Sequence, residues 1–234
     1  MPDLFREGTL EMSQVPLPAP ETLAMWGDCM VNRIAVIVCL ALVLVEIPNI
    51  LRVYPSLLRC IPLWKANVDV EHSMGIARTR NTITVVFALL LCVFADRWGL
   101  IAPSFKTALP EHLHLAVTAG IIAGALLSRS LLFLLSKFRN RRNEYNATLH
   151  NSLYNYLILL SSVMLVTVLL LLAISAADGA IRVVLLVESA FFALLYLIRK
   201  GQILASRFSS FATILYLCAL EILPIGFLIF VCAL

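Results

Sequence analysis

Apolar runs close to bilayer length recur along this chain, and they leave few folds open to it. They are Ile34–Leu51, Thr82–Leu100, Leu113–Leu135, Tyr154–Ile174, Ala180–Ile198 and Phe208–Phe230. A helix needs roughly 20 apolar residues to cross a hydrocarbon core about 30 Å thick. Barrel strands would alternate apolar and polar residues over about ten positions, and these runs do not. Composition agrees: 61% of residues are hydrophobic and 14% charged, against about 25% charged in soluble domains. The expected fold is all-α, a polytopic membrane helical bundle of about six transmembrane helices. The second run is the weakest, because Asp96 and Arg97 cut it near one end.

Two regions follow from this pattern. Residues 1–33 form a polar, acidic tail bearing Pro2, Pro16, Pro18 and Pro20; residues 34–234 form the six-span domain. The VPLPAP stretch of the tail should be extended, and the tail carries no secretory signal pattern. Between the first two runs, YPSLLRCIPLWK mixes basic, aromatic and aliphatic residues. It suits either an element in the headgroup region or a loop on the soluble side. Orientation comes from the loop cations. Arg52, Arg59, Lys65, Arg78 and Arg80, then Lys137, Arg139, Arg141 and Arg142, then Arg199, Lys200 and Arg207 all fall on one side. Only Arg6, Arg33, Arg97 and Lys106 fall on the other. The richer side should be cytoplasmic, which places both termini outside the cytoplasm.

Ionisable residues inside spans are costly and turn toward protein or water. Glu221 lies well inside the last run with Pro224 one turn later, so its face should be sheltered by the other spans. Pro224 frees the carbonyl of Leu220, so a kink or water site is expected there. Glu46 and Arg129 sit at matching depths with opposite signs, which suits an interhelical pair. Otherwise Arg129 snorkels to the headgroups and Glu46 meets water beside Pro48. Glu188 and Glu221 share another depth, where two carboxylates could share a proton or hold a cation, with Arg182 near enough to neutralise either. The plainer reading, a buried carboxyl that fixes packing, is favoured. Gly120, Gly124 and Ser128 make a small-residue ridge suited to helix packing within the chain rather than to dimerisation. Lys137, Arg139, Arg141 and Arg142 form a cytoplasmic basic surface that sets topology or meets anionic lipid. Tyr154, Asn155 and Tyr156 fit an interface belt.

Nothing in the sequence builds a catalytic, cofactor or metal site. The acid and histidine groups Asp69-Val70-Glu71-His72 and Glu111-His112-Leu113-His114 lack the i, i+4 spacing of a helical zinc motif. The cysteines are scattered without metal-ligand spacing. Nucleic acid is not an expected partner; the lipid bilayer and a protein partner are.

The stretch ILYLCALEILP, Ile214 to Pro224, resembles the C-terminal signature of bacterial integral-membrane proteins grouped as domain of unknown function 4271. The likeness runs from the Tyr154 run onward. It implies a multi-pass protein of a Gram-negative inner membrane, singles out Tyr216, Glu221 and Pro224, and brings no activity. The residues leave three functions open. The leading one is a non-enzymatic subunit or scaffold of an envelope assembly. The alternative is a small transporter or channel using Glu221 and Glu188. An enzyme on a lipid substrate, built on Asp69, Glu71 and His72, comes last.

Overall fold

The computed structural model describes residues 26–103, 105–106, 109–135, 143–206, 209–222 and 226, which are helical with no strand among them. Helix α1 is Met30–Arg59, α2 Trp64–His72, α3 Met74–Arg97 and α4 Glu111–Leu135. Helices α5, Asn143–Ala173, and α6, Asp178–Ala205, follow. Helix α7, Ser210–Leu217, runs directly into a π-helical turn at Cys218–Ile222. Five helices, all but α2 and α7, are long and apolar enough to cross a bilayer. The chain is an all-α, multi-pass membrane bundle. The sixth expected span is described only through Ile222 and at Gly226, so Pro224 lies outside the described residues. So do Lys137, Arg139, Arg141 and Arg142.

The helices overrun the apolar runs at the end that carries most of the basic residues. Helix α1 continues through Pro48 and Pro55 to Arg59, eight residues past its apolar run. Proline's fixed φ is compatible with a helix, although each ring removes one backbone hydrogen bond. What holds the extension is packing: Val53 and Leu57, one turn apart on one face, are both buried. The segment 52–80 is therefore helical over most of its length and not an extended loop. It is the end of α1, all of α2 and the start of α3.

Helix α3 is the central element and packs against α1, α4 and α5, while α5 also carries α6 and α2. The core joins Ile83, Phe87, Leu90 and Phe94 of α3 to Ile158, Leu159 and Met164 of α5 and Ile181, Leu185 and Phe192 of α6. The outer faces are apolar and exposed, as at Leu44, Val45 and Leu51 of α1 and Leu127, Leu131 and Leu134 of α4. Such faces suit lipid. The ridge of Gly120, Gly124 and Ser128 lies on this outer face as well. A Cβ added at either glycine would meet no described atom within 4 Å. Among the described residues this ridge makes no packing contact; α4 uses its other face, the one bearing Thr118 and Arg129, to reach the bundle.

Two helix ends close alike. After α3, the Leu100 amide donates to the Ala95 carbonyl (2.9 Å) and the Gly99 amide to that of Asp96 (3.3 Å), with Gly99 at φ +58°. After α5, Ala176 donates to Leu171 (2.9 Å) and Ser175 to Leu172 (3.0 Å), with Ser175 at φ 52°. Both are Schellman turns, which require a left-handed residue just past the helix. The first uses glycine and the second does not.

Candidate functional site: a buried charge cluster beside an apolar cavity

Helices α4, α5 and α6 converge with the π-helical turn on a group of polar side chains inside the bundle. Glu221 is 3% exposed and Lys200 1%. The Arg129 Nε–H donates to both Glu221 oxygens, at 3.1 and 3.2 Å. Its Nη1 and Nη2 donate to the His150 carbonyl at 3.3 and 3.2 Å, and Nη2 also reaches the Tyr196 hydroxyl at 2.9 Å. Lys200 Nζ donates to the same hydroxyl at 3.1 Å and pairs with Glu221. The ammonium also lies over the rings of Tyr196 and Tyr216, at 5.5 and 5.4 Å from their centroids, a cation–π contact on two sides.

Each element supplies its residue for a local reason. Arg129 lies six residues before the end of α4 and Lys200 five before the end of α6, roughly 8–9 Å into the helices at 1.5 Å per residue. Their long stems reach deeper still. Glu221 belongs to the π-helical turn Cys218–Ile222; such turns concentrate at functional sites.

Arg129 pairs with Glu221, not with Glu46, which is half-buried and accepts a hydrogen bond from Asn49 three residues on (2.8 Å). Glu188 and Glu221 do not meet. Glu188 lies 12 residues before Lys200 on the same helix, an axial offset of about 18 Å, and its Oε1 accepts from Thr167 at 2.6 Å. Its Oε2 is buried with no hydrogen-bond partner among the described residues. Arg182, exposed near the start of α6, makes no ion pair among the described residues. Tyr216, singled out by the signature, does lie in the cluster.

Lys200 and Tyr196 were missed. Lys200 reads as one more loop cation, following Arg199 at the end of an apolar run. Yet the buried stripe Ile181, Leu185, Phe192, Tyr196 continues at helical spacing onto Lys200 and Ile203. Extending that stripe past the apolar run is the signal that would have found it.

Beside the cluster, residues of α3, α4, α5 and α6 line a half-open cavity of ≈ 260 Å³. Its walls include Leu91, Ile122, Leu126, Leu153, Leu157 and Phe192, and its polar residues include Arg129, Tyr196 and Glu221.

Other buried polar groups brace the bundle. Asp96 accepts from Lys106 Nζ (2.6 Å) and Thr118 Oγ1 (2.8 Å) on one oxygen, and from Trp26 Nε1 (2.6 Å) on the other. The last residues of the polar tail therefore dock on α3. At the opposite end of α3, Arg80 donates to Glu71 (2.8 Å), which also accepts from Asn151 of α5 (2.8 Å). Glu71 is thus held in a structural bridge, and no group of three metal-ligating side chains occurs among the described residues. Asn155 donates to Asn67 of α2 (2.9 Å), and Tyr156 to the Cys60 carbonyl (3.0 Å). Both α5 residues are buried against protein, because α5 begins at Asn143 and α2 covers this stretch. Burial also pushes the Cys60 thiol up to about 12, which makes it an inert packing group.

No protein-family model, curated protein or solved structure matches this chain.

Proposed function

We propose that this multi-pass membrane protein is a non-enzymatic subunit or scaffold of an envelope assembly in a bacterial inner membrane, with its basic loops in the cytoplasm. The observation that carries this reading is that Glu221 is held by Arg129 and Lys200 together. A carboxylate fixed by two cations braces helices; a proton carrier would have to break both pairs in every cycle. The exposed apolar faces of α1 and α4, with the outward small-residue ridge, offer surface to lipid and to a partner's helices. Kinship with the family of unknown function rests on Ile214–Pro224 and belongs to the same proposal. Solubilised in a mild detergent, the protein should run well above its 25.9 kDa with a second protein in fixed proportion. A lone monomer under those conditions rejects the scaffold.

A second reading, transport through an intramembrane acid, draws on Glu188 instead of Glu221. Its partnerless buried oxygen is the feature a proton site would need. Proteoliposomes would then show a pH-driven flux that Glu188→Gln abolishes, and no flux in the native protein removes this reading.

A further inference from the structure

The charge cluster and the cavity beside it make one amphipathic site. Among the described residues the cluster brings two positive charges, Arg129 and Lys200, against one negative, Glu221. The neutral groups around them are Tyr196, Tyr216 and the His150 carbonyl. One positive charge is left over in a place where water cannot screen it, and such a charge strongly favours an anion.

Donor capacity is left as well. A guanidinium has five N–H groups and an ammonium three. The described bonds use four of the first, leaving one on Arg129 Nη1, and two of the second. Arg129 and Glu221 line the cavity, whose other walls are mostly apolar, from Leu126 of α4 to Phe192 of α6. At about 30 Å³ for each water-sized group, ≈ 260 Å³ admits one chain on the order of ten carbons.

We propose that this cavity binds a single-chain carboxylate amphiphile, its chain between α4, α5 and α6 and its head on Arg129. A carboxylate brings the one negative charge that balances the cluster and an acceptor oxygen for the free N–H on Arg129 Nη1. A phosphate monoester tends toward two charges, one more than the cluster leaves over, and ≈ 260 Å³ seats one such chain inside the cavity. The site stands independently of the scaffold reading.

The test uses the full chain in a non-ionic detergent, with tritiated decanoate as the probe and unlabelled decanol and decyl phosphate as competitors. Decanoate should saturate one site and outcompete decanol by about tenfold or more. Leu126→Trp, which fills the cavity and leaves the cluster alone, should remove saturable binding. Arg129→Met leaves Glu221 balanced by Lys200 and should bring decanoate down to the affinity of decanol. Equal competition by decanol overturns the anionic head, and competition by decyl phosphate as strong as by decanoate overturns the carboxylate. Unchanged binding in Leu126→Trp overturns the cavity, even if Arg129→Met does not fold.

Discussion

Of the ion clusters inside this bundle, two are built on different arithmetic. At one end of α3, Asp96 pairs with a single cation among the described residues, Lys106, and accepts two further hydrogen bonds from Thr118 and Trp26. One charge there meets one charge. Between α4, α6 and the π-helical turn, Glu221 faces two cations and a cavity. A closed pair of the first kind fixes geometry and has nothing left to offer a ligand. The second kind fixes geometry equally well but retains one charge and spare donors. Polar residues buried in membrane helices thus fall into braces and sites, and the balance of charge separates them.

The largest effect should come from removing the one acid of the second cluster. Glu221→Gln leaves Arg129 and Lys200 as two buried cations with no counter-charge among the described residues. Stranding a buried charge costs about 3–5 kcal/mol, so the variant should lose that much stability in a denaturant titration in detergent. Restoring balance by neutralising both cations, in Arg129→Met/Lys200→Met/Glu221→Gln, should recover part of the loss. A Glu221→Gln protein as stable as the native one would mean that the cluster is not charged as drawn, and the comparison would fall.

Next comes a pair of lysine substitutions whose order is the sharper test. Lys106→Met strands Asp96 with only the neutral donors of Thr118 and Trp26, at a cost of about 2–3 kcal/mol. Lys200→Met is the more deeply buried change, yet it leaves Arg129 and Glu221 as a balanced pair. It should cost less, about 1–2 kcal/mol, mainly for a lost charged hydrogen bond. Burial alone predicts the reverse order. Unfolding midpoints of the two variants, measured side by side, therefore decide between counting charges and counting exposed area.

Much of the fold was legible because membrane helices are read from length and apolarity, and both are local. Five of the expected runs became spanning helices. Helix limits were not legible at the basic end, where Arg80 and Asn151 are held by tertiary contacts that apolarity does not report. Glu221 stood out as a costly acid, and Arg129 as a costly base, but their partnership did not. Depth matching favoured Glu46 for Arg129 because it assigns every residue the height of its Cα. Arg129 and Lys200 carry their charge several ångströms from the backbone, and Glu221 sits in a π-helical turn whose spacing an α-helical reading does not anticipate. Nor does a sequence show which face of a helix turns outward. Gly120 and Gly124 read as packing residues, yet they lie on the open face.

The smallest effect concerns the turns that close α3 and α5, and it tells whether the Asp96 cluster depends on its backbone. Gly99 and Ser175 occupy the same left-handed position of two like turns. A side chain there costs roughly 1–2 kcal/mol against glycine. Gly99→Ala should therefore destabilise by about 1 kcal/mol, and Ser175→Gly should stabilise by a similar or smaller amount, since glycine also gains freedom in the unfolded chain. Only the first should disturb a charge cluster, because the Gly99 amide donates to the carbonyl of Asp96 itself. Trp26, bound to the Asp96 carboxylate, is the natural reporter: its fluorescence should change in Gly99→Ala and not in Ser175→Gly. An unchanged spectrum in both variants would make the Asp96 cluster a side-chain device, independent of the turn on which it stands.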